Sequence, residues 1–368
     1  METAKLFVVG GGPAGLVAAA EAAKAGAEVE VFEEDREVGL PDHCAGLVSS
    51  SGLEAITQSR SFVVGKIKGA RIFSPDGRRY EAKGPGVKAF VIDRPKFDME
   101  MLRAAERAGV RINLGTRWEG GCDGRVLIIA EGTKARVSRK MGLRPPASIP
   151  AAQVDVATDA FDGDMAEIHT GGWAPGFFAW VVPRGEQARV GLASYRGVPL
   201  ELLNRMLEKN QYISSKVRGA RRSAPIFGKV VVGGPLRKAA GKEYIAIGDA
   251  GGFVKPTTGG GVVLGCLIAK IAGRVAAEAL EGKAALASFE REWKKGFGRD
   301  FTAMKLAAKV FSNMRAQEIE GALRCLDNEG LLGAAIGYDM DLQGAVVSKA
   351  ARSGAVRYAL IPLLRSIL

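Results

Sequence analysis

The chain has 368 residues, 47% of them hydrophobic, enough apolar material for a large core that divides into two lobes. A formal charge of +12, with basic clusters at Lys216, Arg218, Arg221 and Arg222 and at Arg237-Lys238, suits an anionic ligand or an anionic membrane face, the alternative being a solvated surface. No apolar run is long enough to span a bilayer, and the chain opens directly on a strand, which argues against a cleaved signal peptide and for a cytoplasmic protein. Cys44, Cys122, Cys266 and Cys325 form no CxxC, and the only histidines are His43 and His169, so neither a metal site nor a disulfide framework is expected. No basic helix interleaved with aromatics is present, so no nucleic-acid partner is expected.

From the amino end, the apolar run Leu6–Val9 enters Gly10, Gly12 and Gly15, followed by an Ala-rich helix and a strand, 27–32, that ends at Glu33. This is a complete dinucleotide fingerprint. Gly10 permits the strand-to-helix turn, Gly12 lets backbone approach a pyrophosphate, Gly15 permits close helix packing, and Glu33 accepts from ribose hydroxyls while disfavouring a 2′-phosphate. Residues 36–60 read as a loop and a helix, and 61–92 as strands with a turn at Pro75-Asp76-Gly77. A helix over 94–108 shows apolar positions Phe97, Met101, Leu102 and Ala105, and strands at 110–114 and 126–130 return to the nucleotide sheet. From about 150 to 230 the pattern alternates. Strands 177–182 and 188–193 flank a Gly-containing loop, the mark of a hairpin in a second, antiparallel sheet.

Residues 243–280 rejoin the first sheet. Asp249, at a strand end in Gly248-Asp249, is placed to accept from the ribityl hydroxyls of FAD, and a helix beginning near Gly260 aims its amides at the pyrimidine edge of the isoalloxazine, with Gly259, Gly260 and Gly261 permitting close approach. The remainder reads as helical. Val346 to Arg365 mixes apolar residues with cations, as in an interfacial helix ended or kinked by Pro362; Gly354 interrupts the pattern and favours a helix packed on the protein instead. The expected fold is therefore α/β. A Rossmann-type FAD-binding domain of residues 1–60, 94–150 and 243–285 is interleaved with an antiparallel-sheet substrate domain of 61–93 and 151–242, and 286–368 form a helical C-terminal region.

The opening glycines, Ala130-Glu131-Gly132 with Arg136-Val137 and Met141-Gly142-Leu143, and Gly248-Asp249 leading to Pro256 and Gly259–Gly261 resemble the p-hydroxybenzoate-hydroxylase superfamily of FAD proteins. Within it, Gly39–Ser49 and Phe178-Ala179-Trp180-Val181-Val182-Pro183 resemble the geranylgeranyl reductases, which saturate isoprenoid chains of archaeal ether lipids. The resemblance implies FAD contacts from Ala14, Cys44, Ala45, Leu47, Arg94, Gly260, Gly261 and Val262, with Trp118 touching the adenine through its backbone. It implies a substrate cavity lined by Phe178, Trp180 and Pro183, against the plain alternative of core residues in a strand. Arg94 otherwise reads as a surface ion-pair partner. Cys44 either touches the flavin and guides protonation of the alkene or fills space as a small apolar side chain. Two departures stand out: Glu131 where the superfamily has Asp, and Phe178 where the reductases have Tyr.

The activity implied is hydride transfer from reduced flavin to the double bonds of a prenylated lipid, held with its polar head near basic residues. No second GxGxxG is present, so electrons would come from transiently docked NAD(P)H or from ferredoxin. Peripheral contact with an anionic membrane would suit the substrate. Two other classes compete: a flavin monooxygenase or halogenase acting on an aromatic substrate, and a non-catalytic flavin electron carrier or isoprenoid-binding protein.

Overall fold

The computed structural model describes residues 5–120 and 126–365; Cys122 lies outside the described residues. In chain order the first part forms β1 (Lys5–Val9), α1 (Pro13–Lys24), β2 (Glu28–Phe32), β3 (Leu47–Ser49), α2 (Ser50–Ile56), β4 (Val63–Ile67), β5 (Gly69–Phe73), β6 (Arg79–Lys83) and β7 (Ala89–Ile92). There follow α3 (Arg94–Arg107), β8 (Arg111–Asn113), β9 (Val126–Ile129), α4 (Arg136–Lys140), β10 (Ser148–Val156), β11 (Met165–His169), β12 (Ala179–Pro183) and β13 (Ala188–Ala193). The chain continues through α5 (Pro199–Lys209), α6 (Gln211–Val217), β14 (Ile226–Val231), β15 (Tyr244–Ala246), α7 (Gly248–Gly251) and α8 (Val262–Leu280). It closes with α9 (Ser288–Ser312), α10 (Ala316–Asn328), α11 (Leu331–Ala335), α12 (Gly344–Ala351) and α13 (Val356–Arg365).

The nucleotide sheet has the order β15-β9-β1-β2-β8 and every pair in it is parallel, so all its carboxyl ends lie on one edge. Strands buried on both faces need unbroken apolar runs, which Leu6–Val9 and Val126–Ile129 supply. One face is covered by α1, α3 and α8, through residues such as Leu16, Phe97, Met101, Leu264 and Ile268. Helix α8 lies so close to α1 that a methyl on Gly273 would overlap the Ala18 carbonyl oxygen.

The second sheet, β14-β10-β13-β12-β11-β5-β6, corrects the sequence expectation in two respects. It is antiparallel except for β5 beside β11, which is parallel because β5 reaches the sheet from a part of the chain nearly a hundred residues earlier. It is also backed by helices: α5 and α6 bury Leu203, Met206, Leu207 and Ile213 against Val154, Val181 and Val190, where the sequence had suggested strands throughout. A third sheet, β3-β7-β4, draws one strand from the 36–60 stretch that was expected to hold only loop and helix.

The C-terminal helices are anchored on Phe253, whose ring meets Phe289, Trp293 and Phe301 edge-on at centroid distances of 5.8, 5.2 and 6.0 Å. The expected single terminal helix is instead two, α12 and α13, broken between them at 352–355, with Pro362 inside α13 rather than at its end. Tyr358 packs against Gly321 of α10, so part of α13 rests on the protein. Among the described residues no helix is long and apolar enough to cross a membrane.

Gly273→Ala should therefore cost about 1–3 kcal/mol, because backbone cannot yield as a side chain does. Gly296→Ala, in an exposed part of α9 with open space around it, should be neutral or stabilise by up to about 1 kcal/mol. Urea unfolding of both variants checks the pair, and equal effects would mean that the α1–α8 contact is looser than described.

Candidate cofactor and substrate site

The carboxyl edge of the nucleotide sheet is where α1 and α8 both begin. At α1, Gly12 is the N-cap with extended backbone and no side chain capping the helix, so the first-turn amides remain available to an anion. A Cβ on Gly15 would overlap the Gly10 carbonyl, whereas one on Gly12 would meet nothing within 4 Å. Open space thus lies beside the helix start. The Glu33 carboxylate reaches back over this turn and accepts from the Gly11 amide at 2.6 Å and the Asp35 amide at 2.9 Å.

Helix α8 starts in the same way, with Gly261 as N-cap and no side-chain cap. Asp249 stands in the first turn of the short α7, a little beyond the strand end where the sequence had placed it, and its Oδ1 is 3.1 Å from where a Gly261 Cβ would lie. Burial raises its pKa, opposed by the charge of Arg94, and among the described residues its carboxylate has no hydrogen-bond partner. Ala14 lies against Gly248, so the structure brings Ala14, Asp249, Gly261 and Val262 to one place.

Arg94 is not the surface ion-pair residue that a helix-entry position suggests. Its guanidinium side chain is only 17% exposed and donates to both oxygens of the buried Asp98, at 2.9 and 3.0 Å. Burial disfavours its charge, but Asp98 and the Cys44 thiol outweigh this and hold it well above its ordinary pKa. For Asp98 the balance is reversed: burial raises the carboxyl, and Arg94 opposes the rise. Cys44, Asp98 and Asp249 therefore surround one buried cation, Arg94.

The Cys44 loop is held by residues that the sequence reading missed. Arg189, on β13 and 3% exposed, donates to the Cys44 carbonyl at 2.5 Å and to Asp42 at 2.9 Å, and is itself clamped by Asp155 at 2.7 and 2.8 Å. Burial disfavours this charge too, but Asp155 and Asp42 raise the pKa. A signal was present, since one arginine in the otherwise uncharged Ala188–Ala193 strand demands a partner. Beyond Cys44, residues Ala45, Leu47, Trp180 and Met340 all pack against one buried cluster that includes Val91 and Val182. Phe178 meets Trp180 edge-on at 6.3 Å, and Trp180 lies over Gly191 and Gln153. Strand alternation sends Pro183 to the opposite face with Ala179 and Val181, so the structure does not join it to this wall.

Trp118 packs its ring on Phe7 and Phe32, at 5.1 and 4.8 Å. Glu131 has a structural reason of its own: its carboxylate accepts from the amides of Arg136, Val137 and Ser138 at 2.7, 2.9 and 2.6 Å, capping α4. Lys216, one of the expected anion-binding cations, is instead spent on the Ala160 carbonyl and on the faces of Phe161 and Tyr212.

The family of NAD(P)-binding Rossmann-like domains matches residues 8–47. A digeranylgeranylglycerophospholipid reductase of Methanopyrus kandleri is 33% identical, covering 89% of this chain and 91% of that protein. The chain belongs to the digeranylgeranylglycerophospholipid reductase family. It is an FAD-dependent oxidoreductase. A geranylgeranyl bacteriochlorophyll reductase-like protein from Thermoplasma acidophilum shares the fold over 100% of both chains, with TM-score 0.84 at 23% identity. The brominase Bmp2 shares it more distantly, with TM-score 0.70 at 16% identity over 94% of this chain and 98% of that one.

The residues of this reductase-family chain fit FAD. The space at Gly12, the uncapped amides of α1 and α8 and the unpartnered Asp249 are features that the dinucleotide would satisfy. The thiols test the geometry. Burial pushes Cys266 up to about 12, whereas Cys44 is half-buried beside a cation. At pH 8 Cys266 is protonated and enclosed, so iodoacetamide at that pH should modify Cys44 well ahead of Cys266, read by peptide mass spectrometry. Comparable labelling of both would show that the α8 interior is open.

Proposed function

We propose that the protein saturates the carbon–carbon double bonds of geranylgeranyl chains in archaeal ether-lipid precursors. The observation that carries this reading is the junction of two environments. The charged cluster of Cys44, Arg94 and Asp249 adjoins the start of α8, and directly beyond it Leu47, Phe178, Trp180 and Met340 form an apolar wall suited to a hydrocarbon chain. When bound, FAD in its reduced form supplies the hydride that an isolated alkene needs. The chain's own residues hold, shield and protonate. Asp249 accepts from the ribityl chain, Glu33 and the Gly10–Gly15 turn hold the adenosine and pyrophosphate, and Ala14, Ala45, Gly260, Gly261 and Val262 supply close backbone or small-side-chain contacts. Trp118 offers its backbone to the adenine. Cys44, beside Arg94, guides the proton to the second alkene carbon, from its thiol or from water.

Electrons come from NAD(P)H or ferredoxin docking transiently. The substrate is drawn from an anionic membrane surface, on which exposed Val356 and Leu360, flanked by Arg352 and Arg357, would rest.

Dithionite-reduced protein incubated anaerobically with a digeranylgeranyl phospholipid should yield products that gain a hydrogen pair per double bond, by mass spectrometry. Oxygen-dependent hydroxylation or halogenation of an aromatic compound instead would favour the monooxygenase reading, and lipid retained without turnover the binding-protein reading. Cys44→Ala should keep FAD yet change the rate or extent of reduction. Asp249→Ala should weaken FAD retention by roughly 1 kcal/mol or more, measured by titration of the apoprotein, and an unchanged affinity would remove Asp249 from the ribityl site.

A further inference from the structure

The loop that precedes α8 contains a buried charge with no part in the reading above. Lys255 is 5% exposed, and its ammonium donates to Asp341 Oδ1 at 2.7 Å and to the Met340 carbonyl at 3.1 Å. Asp341, 4% exposed, uses its other oxygen to accept from Ser49, the residue that caps α2. The lysine stem fills the inside of the turn: a Cβ on Gly260 would lie 2.7 Å from its Cε and 3.2 Å from its Nζ. Its backbone closes the same turn, with the Lys255 amide donating to the Gly260 carbonyl at 3.1 Å and its carbonyl accepting from Gly259 at 2.8 Å.

Asp341 belongs to a short segment, 339–343, between α11 and α12. This segment is pinned on two further sides: Thr257 donates to Gln343 at 2.5 Å, and Met340 packs against the same buried cluster, around Val91 and Val182, as Ala45, Leu47 and Trp180 do. One stretch of the C-terminal region thus touches the turn before α8, the cap of α2 and the apolar wall together. A buried ion pair adds little net stability, because desolvation offsets attraction, so its retention here asks for another cause.

We propose that Lys255 and Asp341 are positioning residues for the flavin. The ammonium shapes the 255–260 turn at the amino end of α8, and Asp341 makes that arrangement depend on the C-terminal segment being seated. The inference rests on the isoalloxazine lying at the amino end of α8. The uncapped helix amides there favour the negative charge of the reduced cofactor, and the shape of the turn sets how closely the cofactor approaches them.

The test compares Lys255→Met, Asp341→Leu and the double variant with the unaltered protein. Each single change strands a buried charge and should destabilise the fold, while the double change should recover much of the stability in urea. The double variant should nevertheless bind FAD about tenfold more weakly or worse, and its bound flavin should have a more negative midpoint potential. Unaltered affinity and potential in a stable double variant would overturn the proposal and leave the pair a matter of packing. A second measurement needs no variant: FAD added to the unaltered apoprotein should slow amide hydrogen exchange at 339–343 as well as at 255–261. Protection confined to 255–261 would also overturn it. If the unaltered protein binds no FAD, the underlying flavin site fails, and the two failures are told apart.

Discussion

The site depends on how closely backbones approach one another at the carboxyl edge of the parallel sheet. Gly15 lets α1 descend on the Gly10 carbonyl, and Gly273 lets α8 lie against the Ala18 carbonyl. Any larger side chain at these contacts would push the helices outward by an ångström or more. Because both helices start on the same edge, their uncapped amino ends then face one volume, where Ala14, Asp249 and Gly261 meet. The placement of a dinucleotide follows from this packing and not from any single strong contact.

Around that volume the protein keeps cations that a core would ordinarily exclude. Arg94 is matched by Asp98, Arg189 by Asp42 and Asp155, and Lys255 by Asp341. The Arg94 pair lies within α3 and the Arg189–Asp155 pair spans neighbouring strands, whereas Arg189–Asp42 and Lys255–Asp341 join segments that share no strand ladder: β13 and the Cys44 loop, the turn before α8 and the C-terminal segment. Such pairs add little to net stability, yet losing one partner is expensive, so they constrain geometry more than they stabilise. The apolar wall of Leu47, Trp180 and Met340 begins where these charges stop. This sharp change of polarity suits a reaction at an isolated alkene of an apolar chain.

Much of this was legible along the chain, for reasons that operate over a few residues. The Leu6–Glu33 unit, the 94–108 helix and the 188–193 strand each carry their own periodicity and their own turn residues, and they fold where that periodicity says. Gly248-Asp249 and the three glycines before α8 were likewise readable, because a turn and a helix start are local events. Arg189 was legible in principle and was overlooked, although a charge in an uncharged, buried strand demands a partner.

What could not be read were pairings between distant segments, since nothing in a residue's neighbours along the chain states what will lie across from it. The parallel β5–β11 contact, the α5–α6 cover and the short β3 depend on which surfaces remain to be buried after the first sheet has formed. Arg94 looked like a surface residue until the Cys44 loop closed over it, and Asp341 looked like one residue of a helical tail until Ser49 and Lys255 met it. Pro183 was grouped with Trp180 by adjacency in a motif, whereas the twofold period of a strand sends them to opposite faces. The chain alone thus determined the elements of the nucleotide sheet, the dinucleotide turn and the cofactor class, all set by short-range sterics and periodicity. Which buried charge meets which, and where the apolar wall begins, was decided only when those elements packed, because desolvation forces each charge to find its partner across the fold.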